Sequence, residues 1–293
     1  MDNGRQNRRK WMGLGFFCLF SVVCVEALAE TKLSDKEKKH LIHRLSTSFW
    51  TEKKLNDVFS HEKIGKIQEI YSLNIRSPMA LEDEKYRLLT NGDGLHRGRE
   101  FQQKWSTTLT KAEKIYEVDR GMITSLLLVA SELGRYTGNH RLLSVFVTIY
   151  LTTRHEIMDP KAKSEKSNRY SLFKKNRWAL EELKSLLKLH QHQNLDMINL
   201  KGDYSGRFGI CQLFPSIHLK WAVSSHRGKV PDLFRAEDAI YTIANVIRQL
   251  GYRSFASQNR KNKALSQLNT NPTFIRSVNA IAKLLTSTHL MGH

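Results

Sequence analysis

The chain has 293 residues, 40% of them hydrophobic, three cysteines and a formal net charge of +19 at pH 7. The apolar fraction is enough to build a real core, and the length fits one large domain or two small ones. A balance this basic asks for a polyanionic partner, of which nucleic acid is the usual first reading.

The first residues set the compartment. A basic stretch ending at Arg8, Arg9 and Lys10 precedes an uncharged apolar run from Trp11 to Val25, and Ala27-Leu28-Ala29 offers a small-residue cleavage site. That order is a secretory signal over residues 1–29, cleaved on export to the periplasm. The alternative is an uncleaved inner-membrane anchor facing the periplasm, for which the apolar run is short against the roughly 20 residues a spanning helix needs. Neither Cys18 nor Cys24 follows a small residue, which argues against a lipid-modified cysteine. Cleavage leaves Cys211 as the only thiol, so an intramolecular disulfide is excluded. Removing the leader also removes its net +2, from Arg5, Arg8, Arg9 and Lys10 against Asp2 and Glu26, and leaves +17. Export separates the protein from nucleic acid, so a nucleic-acid-binding function ranks last. Anionic groups of the envelope remain as partners, and membrane contact is expected through the leader alone.

Helical spacing runs along the rest of the chain. Ser34 with Glu37 reads as a capping box before Leu41, Ile42 and Leu45. Phe101, Trp105, Leu109, Ala112, Ile115 and Tyr116 repeat at three and four residues, which predicts one amphipathic helix. Between Met122 and Ala130 almost no polar face is left, so this helix is predicted to be buried on most sides and to stop at Gly134. Further stripes centre on Trp178 to Leu187, Ala239 to Ile247 and Phe274 to Leu285. Two polar, basic stretches, Asp159 to Lys175 with five lysines and one arginine and Ser254 to Lys263, read as loops. No alternation of the kind a strand shows is present.

Several ordered blocks resemble the membrane-bound lytic transglycosylase B family. They are Tyr86-Arg87-Leu88-Leu89 with Gly98-Arg99-Glu100-Phe101, the segment Met122 to Ser144, Asn199-Leu200-Lys201-Gly202 followed by Gly206, Gly209 and Gln212 to Ser216, and Asp238-Ala239-Ile240 with Ala244-Asn245. Asn269 and Phe274 fall where the family has an asparagine and a tyrosine. The resemblance covers about residue 33 to the end. It implies a mainly α, lysozyme-like lytic transglycosylase fold with additional N-terminal helices and little or no β-sheet. After the leader, residues 30–293 would form one domain: an N-terminal helical part (30–100), a lysozyme-like core (101–252) with a basic insertion at 155–175, and a C-terminal helix region (253–293). The family cleaves the MurNAc-GlcNAc bond of peptidoglycan to 1,6-anhydro products. One glutamate at the end of the buried helix is its general acid and base, held protonated by an apolar pocket. Tyr136, Gly206, Gln212, Asn269 and Phe274 are the substrate-binding positions the resemblance implies.

Four departures set this chain apart. The family's glutamate lies four residues before the glycine equivalent to Gly134, and here that position is Ala130. Glu132 is two residues on, and side chains two apart do not share a helix face unless the helix ends early. Asp203 stands where the family has a serine, either as a replacement carboxylate or as a cap of its own turn. The register of an EF-hand-like loop carried by some family members falls on Ser224 to Arg235, and its ligand positions hold Ser224, His226, Gly228 and Arg235, so no metal is expected. Only a brief basic stretch joins Tyr252 to Asn269, where the family has a longer, partly β segment, so part of the groove wall is expected to be missing. No cofactor is expected.

The close histidine pairs His40/His43 and His190/His192 lack nearby cysteines or a converging carboxylate set, and read as surface histidines. No Gly-x-Ser-x-Gly elbow supports serine catalysis. Cys211, between Ile210 and Leu213, reads as a buried inert thiol. The sequence therefore favours an exported protein that binds glycan strands, or serves as a scaffold for envelope-complex proteins through its basic surface, with catalysis impaired. The alternative is an active transglycosylase that uses Glu132 or Asp203.

Overall fold

A computed structural model describes residues 30–70, 89, 92–159 and 166–287. The leader (1–29), the block Tyr86 to Leu88 and part of the basic insertion lie outside those residues.

The first described segment is a two-residue strand β1 (Thr31–Lys32), then α1 (Asp35–Leu45), α2 (Glu52–Phe59) and β2 (Gly65–Lys66). The capping box forms as predicted: Ser34 N–H donates to Glu37 Oε2 at 2.8 Å and Glu37 N–H to Ser34 Oγ at 3.4 Å. β1 and β2 pair antiparallel, Thr31 opposite Lys66. Glu30, directly after the expected cleavage site, accepts hydrogen bonds from Ser144 Oγ and from Arg141 Nη1, so the chain is docked from its first described residue.

The predicted helix through Phe101 and Tyr116 is two helices, α3 (Gly92–Lys104) and α4 (Ser106–Tyr116). Trp105, with φ −107° and ψ 23°, breaks the run between them. Leu109 and Ala112 of α4 are buried, whereas Ile115 is 58% exposed and not part of the inward stripe.

α5 (Arg120–Ser131) is the buried helix, with every residue from Gly121 to Val129 inside. α11 (Pro272–Ser287), α9 (Ala236–Gln249), α3 and α4 pack around it. It stops earlier than Gly134. Glu132 and Leu133 take left-handed φ of 51° and 61°, and Leu133 N–H reaches back to Leu127 O at 3.1 Å.

A two-residue strand β3 (His140–Arg141) leads into α6 (Leu142–Met158), and α7 (Lys166–Gln193) returns antiparallel along it. Asn176 Nδ2 donates to Tyr150 O at 2.7 Å, and Arg169 Nη2 to Ile157 O at 3.1 Å. The Asp159 to Lys175 stretch is thus helical from Lys166 onward rather than a loop. β4 (Lys201–Gly202) pairs antiparallel with β3, His140 opposite Gly202. The backbones approach so closely that a Cβ on Gly138 would lie 1.9 Å from Gly202 C, which only glycine permits.

α8 (Pro215–Trp221) is seated on α7 by two buried groups. Glu182 accepts from Ser216 N–H at 2.9 Å and Ser216 Oγ at 2.6 Å, and His218 Nε2 meets Gln193 Oε1 at 2.8 Å. Ser254 to Lys263 also departs from the loop expectation, because α10 spans Gln258–Leu268. Helices dominate the described residues, and the two sheets hold two strands each.

Candidate active site

Five helices, the turn after α5 and one loop line a cleft of about 490 Å³. α5 contributes Leu126, Val129 and Ala130 to its wall. α8 and the turn before it add Leu213, Phe214, Ile217 and Trp221, and α9 with its C-cap adds Ile243, Val246 and Leu250. Gln267, Leu268 and Asn269 at the end of α10, with Phe274 of α11, close one side. The short connection after Tyr252 thus contributes Gln267, Leu268 and Asn269 to the cleft wall.

The loop from Asp203 to Gln212 forms the polar side of the cleft. It is tied to the end of α5 by Ser131 Oγ, which donates to Ile210 O at 2.7 Å. Asp203 Oδ1 accepts three hydrogen bonds, from Ser205 N–H at 2.9 Å, Ser205 Oγ at 2.8 Å and Arg207 N–H at 2.8 Å. This is the turn cap, and the same carboxylate lines the cleft together with Tyr204 and Arg207. Gly206 lies inside the turn at φ +92°, where a Cβ would stand 2.4 Å from the Phe146 ring. It is buried and is not part of the cleft lining.

Gln212, at φ 49°, donates both Nε2 hydrogens, to Thr137 O at 3.1 Å and Gly209 O at 2.8 Å. Only its Oε1 is left to offer a ligand. Tyr136 stands at the rim, 58% exposed, with Arg135 over its ring at 5.9 Å. Asn269 Oδ1 accepts from Asn271 N–H at 2.9 Å, and Phe274 is buried against the core. Four of the five expected binding residues thus line one cleft, and Gly206 shapes the loop beside it.

The two expected carboxylates separate. Glu132 sits on the left-handed turn after α5, outside the cleft lining, and its Oε2 pairs with Arg97 Nη2 of α3 at 3.0 Å. The early end of the helix does reorient Glu132, but toward α3. Asp203 is the one carboxylate among the described residues lining the cleft, and Ala130 is on its wall. Cys211 also borders the cavity, but its Sγ contacts Ala239 O at 3.2 Å and burial pushes the thiol far up. It is inert as a nucleophile.

Beside the cleft, the segment Ser224 to Arg235 is gathered around Asp238, a carboxylate that the sequence reading quoted within a motif but gave no role. Asp238, 1% exposed, accepts from Ser225 N–H at 2.7 Å, Ser225 Oγ at 2.6 Å and Asp232 N–H at 2.9 Å. Burial works against the anion, yet these hydrogen bonds outweigh it and hold the carboxyl below its ordinary value. Its place at the start of α9, after a loop with serines, was the available signal. His40 bonds Tyr150 Oη at 2.9 Å and His190 Nδ1 meets Leu195 O at 2.8 Å. Among the described residues no three His, Cys, Asp or Glu side chains converge as a metal site.

The sequence profile described as the transglycosylase SLT domain matches residues 35–284. The membrane-bound lytic murein transglycosylase B of Escherichia coli K12 is 23% identical over 160 residues, which is 55% of this chain and 39% of that protein, so the match spans well under half the relative's length. Among solved structures, a 36 kDa muramidase/transglycosylase superposes with a TM-score of 0.72 at 15% identity, covering 90% of this chain and 97% of that one. The Escherichia coli lytic transglycosylase SLT35 in complex with calcium gives 0.71 at 15% identity, covering 87% and 94%. At these identities the structures establish the lysozyme-like fold, and the profile establishes more: the chain belongs to the transglycosylase SLT domain family.

Proposed function

We propose that this chain is exported to the periplasm, acts on peptidoglycan, and holds its glycan strands in the cleft without cleaving them at a rate typical of the family. The single observation that carries this reading is Ala130 on the cleft wall, at the position where the family resemblance puts the general acid, while the nearest glutamate in sequence is bound to Arg97. A methyl group neither donates nor accepts a proton. Loss of such a group removes about 10²- to 10⁴-fold in rate. What remains suits binding. Tyr136, Trp221 and Phe214 add aromatic surface to the lining, and Tyr204, Arg207, Gln212 and Asn269 add polar groups. A scaffold role within an envelope assembly follows from the same arrangement and from the basic surface, and residues 30–293 act as one unit in it.

One observation favours a second reading. Asp203 faces the cleft, and its three hydrogen bonds all end on Oδ1, leaving Oδ2 as the oxygen that a substrate can meet. The experiment is digestion of purified sacculi followed by mass spectrometry of the soluble fraction, alongside cosedimentation with intact sacculi. Binding without 1,6-anhydro-muropeptides supports the proposal. Products that appear with the parent and vanish in Asp203→Asn would overturn it in favour of catalysis by Asp203.

A further inference from the structure

The tip of the α6–α7 hairpin has no part in the cleft, yet it carries an unusual surface. Met158 at the end of α6 is 65% exposed, and Tyr170 and Phe173 at the start of α7 are 63% and 53% exposed. Arg169 Nη2, bonded to Ile157 O, ties the two helix ends together at this point. At 100° per residue, Phe173, Tyr170, Arg177, Lys174 and Arg169 fall within a single arc of roughly 140° on α7. The opposite face of the helix holds buried Leu172, Ala179 and Leu183. Arg169, Lys174 and Arg177 are exposed, and Lys174 Nζ lies 4.5 Å from the Tyr170 ring centre. Glu156 and Asp159 are the acids on the last turn of α6 and just after it, and both are half-buried.

Each class of partner asks for a different part of this surface. A polyanion would be held by the three cations and would gain nothing from Met158 or Phe173. A neutral sugar would use a ring face and leave the cations idle. A bilayer with anionic headgroups uses both. Aromatic and thioether side chains enter the boundary between headgroups and acyl chains while Arg and Lys reach the phosphates. No helix among the described residues is long and apolar enough to cross a membrane, so the contact is peripheral.

We propose that the α6–α7 tip, through Met158, Tyr170, Phe173 and the flanking Arg169, Lys174 and Arg177, docks on the surface of an anionic phospholipid bilayer. This contact is independent of the leader and of the glycan cleft. It holds the cleft at a membrane-proximal layer of the wall.

The test uses the chain purified after export and vesicles of phosphatidylglycerol with phosphatidylcholine, against vesicles of phosphatidylcholine alone. The parent pellets with the first and stays in solution with the second. Replacing Arg169 and Lys174 by Gln lowers the partition coefficient about fivefold per charge at low salt. Replacing Tyr170 and Phe173 by Ser lowers it at least tenfold, and both double variants keep the parent's binding to sacculi. In Phe173→Trp, emission moves to the blue only with anionic vesicles. Loss of binding in the charge variant with none in the Tyr170/Phe173 variant overturns the proposal and marks the tip as a polyanion site. Equal recovery of parent and variants with both vesicle types overturns it as well.

Discussion

Arg97 and Glu132, 35 residues apart in sequence, form an ion pair of 3.0 Å between α3 and the turn that ends α5. The pair turns Glu132, the acidic residue nearest to Ala130 in sequence, toward α3 and anchors the helix end. Both side chains are mostly covered, 25% and 18% exposed, so salt screens the pair less than one on the open surface. Arg97→Met is expected to lower stability by about 1–2 kcal/mol, read by urea denaturation, because Glu132 is left half-buried without its partner. Glu132→Gln should leave the muropeptide profile of treated sacculi unchanged. A lost product peak would show that Glu132 reaches the substrate.

Ala130→Glu places a carboxyl among Leu126, Val129, Leu213 and Ile243, all lining the same cleft. Such surroundings disfavour the anion and keep the proton on at neutral pH. The variant is expected to release 1,6-anhydro-muropeptides at least about 10²-fold faster than the parent. The same time course with both proteins would sink the assignment of this position.

Acid should loosen the joint between α7 and α8. Burial drives His218 down to about 4 from an ordinary 6.5, and its Nδ1 is enclosed without a partner. The unfolded state therefore binds the extra proton between these values, so stability is full above 6.5 and falls as pH drops toward 4. The loss amounts to about 3 kcal/mol over that window. Glu182 acts with the opposite sign, since burial raises its carboxyl above the ordinary 4.5. His218→Asn should flatten the dependence of the melting temperature on pH across this window, whereas a variant with the parent's slope would place the titrating group elsewhere.

Asp238→Ala removes the acceptor that gathers Ser225 and Asp232, and an expected loss of about 2–4 kcal/mol follows from leaving several donors unpaired. Hydrogen exchange should rise in Ser224 to Arg235 ahead of the rest of the chain. In the parent the carboxyl lies below its ordinary 3.8 because the loop's hydrogen bonds overcome the cost of burial, so its contribution persists above that value and fades as pH falls below it.

How much of this was legible in the sequence depended on burial. α5 could be read directly because nearly every residue faces the core, and the family resemblance, counted back from Gly134, pointed to Ala130, which the structure places on the cleft wall. α10 read as a loop because only Ala264 and Leu265 of its eleven residues are buried, too few to leave a periodic stripe. The first turns of α7 failed for the same reason, since among the described side chains from Arg169 to Phe173 Leu172 is the one that is buried. Trp105 continues the apolar spacing in sequence but takes a backbone conformation that ends one helix and starts the next. The direction of Glu132 depends on Arg97, a contact that no local pattern records, and the Phe146 ring that leaves no room for a Cβ at Gly206 is equally out of reach of a local reading.

The knot around Asp238 also bears on what holds this loop in shape. Its rim loop is drawn together by a carboxylate of the chain itself, through hydrogen bonds from Ser225 and Asp232. The conformation of this loop is therefore set by hydrogen bonds that the chain makes to itself. Melting curves in a chelator and in excess calcium should superimpose, and a midpoint raised by calcium would show that a cation shares the loop with Asp238.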